Sequence, residues 1–304
     1  MKAVVFAYHN MGLIGIEKLL HHGFSIPLVF THEDSAAENV WFGSVRDLCA
    51  RHGIPSVSPQ NPNTQEWVGR ISSLAPDYLF SFYYRHMLSK DILAIPRYGA
   101  YNLHGSLLPK YRGRAPVNWV IIKGETITGV TLHEMEVKPD AGAIVSQIAV
   151  PIDMEDTALS LFGKLEQAAG RLLDGCLPAM KNGVFQKTPQ DLSQGSYYSG
   201  RRPADGRIDW RAAAVEVYNL IRGVTRPYPG AFGYLQERQV IIWRSTLAEE
   251  CAAQPGLITV RNQEALIGCG HGSIAPREIE VDARVMQDRE LFEFFKNHEG
   301  EIMR

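Results

Sequence analysis

The stretch AYNLHGSLLPKYRGRAP, residues 100–116, starts as a short apolar run, carries Asn102 and His104, and passes into a turn-rich loop from Pro109 to Pro116. Side chains on an extended strand alternate between faces, so an amide and an imidazole two residues apart point the same way. Asp140 follows 36 positions after His104, inside EVKPDAGAIV, where Lys138 to Gly142 forms a second turn-rich loop. Loops at strand ends are where a rigid scaffold holds functional groups. An amide donor, a titratable imidazole and a carboxylate are the parts needed to move an acyl group onto an amine. The same pattern is also what a polar strand end followed by a turn aspartate would give, so the spacing leaves both readings open.

Outward from this stretch, the first half alternates apolar runs with helical patterns. Ala3–Ala7, Leu28–Thr31, Ser56–Ser58, Tyr78–Phe82 and Ala100–Leu103 read as strands, and Ile16–His22, Val45–His52 and Glu66–Leu74 as helices. That alternation implies an α/β fold: a Rossmann-like, mostly parallel sheet with helices on both faces and ligands at the carboxyl ends of its strands. Gly12 and Gly15 form G-x-x-G without the full dinucleotide fingerprint, and read as a tight strand-to-helix turn. Gly129–Met135 and Ala143–Ile152 read as strands flanking the Asp140 loop, and Thr157–Lys181 as a long helix. A stretch rich in Ser, Gly, Gln and Pro (189–204) reads as a linker between a domain at 1–188 and a second at 205–304. The second domain shows a helix at Ala212–Arg222. Short strands follow at Gly230–Leu235, Gln239–Arg244, Gly256–Val260, Ala265–Gly268 and Ile279–Asp282, with a last helix at Leu291–Lys296. Short strands separated by turn signals suggest a small β-barrel.

Composition narrows the function classes. A chain of 304 residues with 45% hydrophobic and 21% charged residues is ordinary for a globular protein with two domains. No run approaches the ~20 apolar residues that span a bilayer, so membrane insertion is not expected. The N-terminus reads as a first buried strand rather than a signal peptide, which implies a cytoplasmic location. Cys49, Cys176, Cys251 and Cys269 lie far apart and read as reduced structural thiols. No His or Cys cluster has metal-ligand spacing, and acyl transfer to an amine needs no metal. Net charge is −2, and from Asp205 onward 12 Lys and Arg face 15 Asp and Glu. A domain that grips nucleic acid needs a basic face, so no nucleic-acid partner is expected.

The words around the three polar residues carry a resemblance. NLHGSLLP, then YRG, then Asp140 before Ala-Gly resembles the folate-dependent formyltransferases over nearly the whole chain. GRIDW (206–210), NLIRGV (219–224) and RPYPGAF (226–232) are similar to the C-terminal domain of the tRNA and sugar branches, which makes the small barrel OB-like. FAYHNMG (6–12), SFYYRHML (81–88) and Arg201-Arg202-Pro203 resemble the branch that formylates UDP-4-amino-4-deoxy-L-arabinose in bifunctional polymyxin-resistance enzymes, a lipid A modification. Those relatives continue into a dehydrogenase domain, and whether one is fused here stays open. The resemblance implies 10-formyltetrahydrofolate as co-substrate, a UDP-amino sugar as acceptor, and methionyl-tRNA formyltransferase as the alternative. It assigns oxyanion stabilisation to Asn102, proton handling to His104, and tuning of that histidine to Asp140. It places the folate at His86, Met87 and Leu88 and at Glu136, Val137, Lys138, Pro139 and Asp140. Arg114 and Tyr111 would face the acceptor, with Tyr197 and Tyr198 as further stacking candidates for the uracil. Arg201 and Arg202 are candidates for the diphosphate, because planar guanidinium groups bind phosphate well. His9 and His133 lie near strand ends without an assigned role. A homo-oligomer is compatible with all of this.

Overall fold

The computed structural model describes residues 1–34, 39–248 and 254–304, so Cys251 lies outside the described residues. The chain divides into two compact units. One comprises 1–116, 127–151 and 162–199; the other comprises 117–126, 152–161 and 200–304.

The chain order begins β1 (Lys2–Ala7), α1 (His9–His21), β2 (Ser25–Phe30), α2 (Val45–Arg51), β3 (Ser56–Val57), α3 (Gln65–Leu74), β4 (Tyr78–Phe82), α4 (Lys90–Leu93) and β5 (Ala100–His104). It continues with β6 (Arg112–Gly113), α5 (Pro116–Ile122), β7 (Ile127–Glu134), β8 (Ile144–Pro151), α6 (Ala158–Lys181) and β9 (Tyr197–Tyr198). Seven strands form one sheet in the order β3-β2-β1-β4-β5-β7-β8. The first five are parallel, whereas β7 and β8 run antiparallel. β1 and β4 read as nearly continuous apolar runs, with Lys2 and Ser81 as the polar members, because both of their faces are covered. On one face Val4, Phe6, Leu28, Leu79 and Ala100 pack with Ile71 of α3 and Ile92 of α4. On the other lies α1. Gly12 and Gly15 sit inside that helix rather than in a turn, because it begins at His9 and not at Ile16. A Cβ on Gly15 would come within 2.2 Å of the Phe82 ring, so close packing of helix on sheet explains the glycine.

Parallel neighbours in register share a face, and Asn102 pairs with Ser81, which pairs with Phe6. Asn102 and His104 therefore project on the α3/α4 face, two and four residues beyond Ala100. The Ser- and Gly-rich stretch 189–204 carries β9, which adds to β6 in a two-stranded sheet.

In the second unit α7 (Ala214–Val224) precedes β10 (Ala231–Leu235), β11 (Arg238–Ala248), β12 (Ile258–Arg261), β13 (Glu264–Gly268), β14 (Ser273–Val281), β15 (Arg284–Gln287) and α8 (Asp288–Lys296). The strands form one antiparallel sheet in the order β10-β11-β14-β13-β12, with β15 on β14. The last residues close it. Tyr234 and Arg304 exchange backbone hydrogen bonds at 2.7 Å, and Met303 N–H donates to Gly256 at 2.8 Å. The segment thus bridges β10 and the start of β12, which covers part of the sheet edges that would otherwise invite mispairing. Its core holds Trp210, Ile221, Ile242, Ile267, Phe295 and Met303. Among the described residues no helix is long and apolar enough to cross a membrane.

Met303 is 1% exposed, so truncating it removes buried methylene groups as well as loosening the closure. Met303→Ala should destabilise the second unit by about 2–5 kcal/mol in urea unfolding; an unchanged midpoint would show that the closing segment contributes nothing.

Candidate active site

The alternation read from the sequence delivers both polar side chains to one place. Asn102 and His104 sit on β5, and the antiparallel register sets His133 of β7 directly opposite Asn102. Directly opposed residues share a face, so His133 joins the pair. Asn102 Nδ2 lies 3.2 Å from His133 Nε2. Asp140 completes the group: its Oδ1 is 3.7 Å from His104 Nδ1 and 3.5 Å from His133 Nε2. The three residues read from the sequence therefore converge, and the structure adds a fourth, His133.

Hydrogen bonding assigns the tautomers. A carbonyl oxygen only accepts, so His104 Nε2, 2.8 Å from the Tyr111 carbonyl, carries a hydrogen. The remaining nitrogen, Nδ1, faces Asp140. His133 Nδ1 likewise donates to the Glu134 carbonyl at 2.8 Å. His133 Nε2 thus faces both the Asn102 amide and the Asp140 carboxylate, accepting from the amide when bare and donating to the carboxylate when it carries a hydrogen.

Asp140 is held from several sides. Burial alone would raise its carboxyl; the charge of His104, the hydrogen bond and charge of His133, and the Gly113 N–H outweigh it and hold the group well below the usual carboxylate range. Gly113 N–H donates to Oδ2 at 2.8 Å. Gln190 Nε2 donates to the Asp140 and Gly142 carbonyls at 3.1 and 2.6 Å. Asp140 adopts φ +51°, and Tyr111 (φ +57°), Ala115 (φ +51°) and Tyr83 (φ +58°) share that left-handed region. Such backbone is uncommon outside glycine and clusters where the surroundings over-determine it. Gly113 has φ +100°, and a Cβ there would lie 2.1 Å from the Tyr198 carbonyl.

The other sequence candidates are spread around this centre. Leu88 is buried in the α3/α4 core cluster, which Met135 flanks, so segments 86–88 and 136–140 are anchored on one side of the sheet. Met87 and Val137 are exposed apolar residues. Asn63, which sequence reasoning passed over, clamps the first segment by donating to the Met87 carbonyl at 2.9 Å and accepting from Ser89 N–H at 2.7 Å. His86 meets the His32 ring edge-on. Glu136 and Lys138 are exposed, and Pro139 is half-buried. Arg114 is exposed, and its Nη2 lies 3.4 Å from the Arg85 carbonyl. The Tyr111 ring stacks on Tyr198 at 5.1 Å, while Tyr197 is exposed. Arg201 and Arg202 belong to the second unit, where Arg201 lies over the Trp119 ring at 4.7 Å and donates to the Asp205 carbonyl at 2.7 Å. The side chain of Arg202 is exposed.

Cys49, Cys176 and Cys269 are buried, free and raised by burial, as inert structural thiols are.

A family model described as formyl transferase matches residues 1–175, and one described as formyl transferase, C-terminal domain, matches residues 201–295. The chain belongs to the formyl transferase family and is a formyltransferase enzyme. Solved structures share its fold. One is the N-formyltransferase from Helicobacter canadensis in complex with folinic acid and dTDP-3-aminofucose, at TM-score 0.71 and 20% identity over 91% of this chain and 98% of that one. Another is WlaRD, a sugar 3N-formyl transferase solved with dTDP and 5-N-formyl-THF, at TM-score 0.70 and 20% identity over 91% and 97%. HypX from Aquifex aeolicus in complex with tetrahydrofolic acid matches at TM-score 0.62 and 15% identity over 98% of this chain and 48% of that one.

A lowered carboxyl stabilises the fold above its unfolded value and loses that contribution as pH falls toward the folded value. Asn tolerates left-handed backbone, so Asp140→Asn isolates the charge. In urea unfolding, the difference between wild type and Asp140→Asn should stay constant from about pH 6 to about pH 5 and shrink below about pH 4. A difference that does not change with pH would mean the carboxyl titrates normally.

Proposed function

We propose that this formyltransferase moves the formyl group of 10-formyltetrahydrofolate onto the primary amine of a nucleotide-linked amino sugar, with UDP-4-amino-4-deoxy-L-arabinose as the acceptor. The observation that carries the reading is the convergence of Asn102, His104 and Asp140 on one strand face, within a chain whose words FAYHNMG and SFYYRHML resemble the arabinose branch.

The acceptor nitrogen attacks the formyl carbon and the carbonyl oxygen becomes an oxyanion. An N–H of the Asn102 amide donates to that oxygen, and such a donor strengthens as charge develops. His104 Nδ1 takes the proton that the new C–N bond makes acidic. The imidazolium that forms is favoured by the Asp140 carboxylate beside it. Collapse of the intermediate breaks the bond to the folate nitrogen, which receives the same proton from His104. Tetrahydrofolate and an N-formyl sugar are the products, and the histidine returns to its starting state. No metal is needed at any step.

The folate reading rests on segments 86–88 and 136–140. Their shared anchoring leaves Met87 and Val137 as apolar edges for a ring system. The solved relatives named above, one with folinic acid and dTDP-3-aminofucose and one with 5-N-formyl-THF and dTDP, are consistent with it. Transfer to methionyl-tRNA is the rival, favoured by GRIDW and RPYPGAF and opposed by the excess of acidic residues from Asp205 onward.

Supplying formyl-folate with UDP-4-amino-4-deoxy-L-arabinose or with charged initiator tRNA should give transfer to the sugar alone. Transfer to the tRNA alone would overturn the acceptor assignment. Asn102→Ala should lower turnover at least ~100-fold and leave folate affinity nearly unchanged; retained turnover would remove this amide from the mechanism.

A further inference from the structure

The register that sets His133 opposite Asn102 builds a second row on the same face. His104 of β5 lies opposite Thr131 of β7, and Thr131 lies opposite Gln147 of β8. Directly opposed residues share a face, so His104, Thr131 and Gln147 stand abreast across three strands. Thr131 and Ser106 are fully buried, whereas Gln147 is exposed. A threonine hydroxyl has one hydrogen to give and two lone pairs to offer. Here all three are used. Thr131 Oγ1 donates to the Ser106 carbonyl at 2.6 Å, and accepts from Gln147 Nε2 at 2.8 Å and from Leu108 N–H at 3.2 Å. Gln147 Nε2 also donates to the Leu108 carbonyl at 2.9 Å.

These bonds end on the loop that supplies the acceptor for His104. Ser106, whose carbonyl Thr131 holds, donates its hydroxyl hydrogen to the Lys110 carbonyl at 2.7 Å. Ser196 takes the opposite edge of the same peptide, accepting from Tyr111 N–H at 2.9 Å. The next peptide carries the Tyr111 carbonyl, which accepts from His104 Nε2 at 2.8 Å. Its N–H, that of Arg112, donates to the Ser196 carbonyl at 3.0 Å. The direction of the Tyr111 carbonyl is therefore set from two sides, by the connector through Ser196 and by the cross-strand row through Ser106. A buried hydroxyl with every capacity filled cannot turn without leaving a donor or an acceptor unmade, so the row holds one arrangement.

We propose that Thr131 is a positioning residue for His104, acting with Gln147 through the loop 106–111 and not on the reacting atoms. The inference rests on His104 being the proton carrier. Its consequence lies in the imidazole. Two acceptors compete for the hydrogen of a neutral His104 ring: the Tyr111 carbonyl at Nε2 and the Asp140 carboxylate beside Nδ1. The charged acceptor is intrinsically the stronger. Only a well-placed carbonyl keeps the hydrogen on Nε2 and leaves Nδ1 bare to take a proton from the attacking amine. A loop released from Thr131 lets the carbonyl swing, the hydrogen passes to Nδ1, and the base is occupied before the reaction starts.

The test is NMR of the histidine ring nitrogens together with steady-state kinetics on Thr131→Val, Thr131→Ser and Gln147→Glu, with His104→Ala identifying the His104 signals. Valine matches threonine in shape without the hydroxyl, serine restores it, and glutamate at the exposed position 147 replaces a donating amide with oxygens that accept. At a pH where the ring is neutral, wild-type His104 should carry its hydrogen on Nε2. Thr131→Val and Gln147→Glu should move it toward Nδ1. Both should lower kcat about 10-fold or more for transfer from formyl-folate to UDP-4-amino-4-deoxy-L-arabinose, with each KM within about twofold of wild type. Thr131→Ser should restore both readouts. Should the valine variant fail to fold, Gln147→Glu decides alone. A hydrogen that stays on Nε2 in the folded variants overturns the inference whatever the turnover, and so does a loss in Thr131→Ser equal to that in Thr131→Val, which marks packing alone. A shifted hydrogen with kcat unchanged keeps the positioning and discards His104 as the proton carrier.

Discussion

One largely enclosed carboxylate, Asp140, sets the terms for the rest of the first unit. A charge removed from water must be matched by partners, and breaking such a set leaves an uncompensated ion. Here the partners are two imidazoles and one backbone N–H, and each imposes a requirement on the fold. His133 faces the carboxylate only because β7 runs antiparallel beside β5 and registers it against Asn102. The chain leaves β7 at Glu134 and starts β8 at Ile144, so the loop between them must double back over the sheet face to present Asp140. It does so with left-handed backbone at Asp140 itself, braced by Gln190. The N–H of Gly113 reaches Oδ2 from a turn that only glycine fits, because the Tyr198 carbonyl occupies the space a side chain would need.

The same arrangement orients the rings. His104 is pinned through Nε2 by the Tyr111 carbonyl, so its other nitrogen is the one beside Asp140. His133 is pinned through Nδ1 by the Glu134 carbonyl, so its Nε2 lies between the Asn102 amide and the Asp140 carboxylate. Orientation settled before substrate arrives is what makes an oxyanion donor effective, since no reorganisation is needed when charge appears.

Local pattern carried much of this into the sequence. The apolar runs of β1, β4 and β5 and the two-residue spacing of Asn102 and His104 fixed the strands and the shared face, because period two is a local property. His133 was visible as a residue near a strand end, but its partnership with Asn102 depends on a register between segments 31 positions apart, which no local pattern states. Gln190 and Tyr198 lay in a stretch whose Ser, Gly and Gln content reads as connector, yet that stretch supplies a brace and a strand of two residues. Gly12 and Gly15 looked like turn residues because glycine marks turns and close packing alike, and only the Phe82 ring distinguishes them. Closure of the second unit was hidden for a related reason. Residues 301–304 carry no strand signature and earn their place by pairing with β10 and with Gly256 and Leu257.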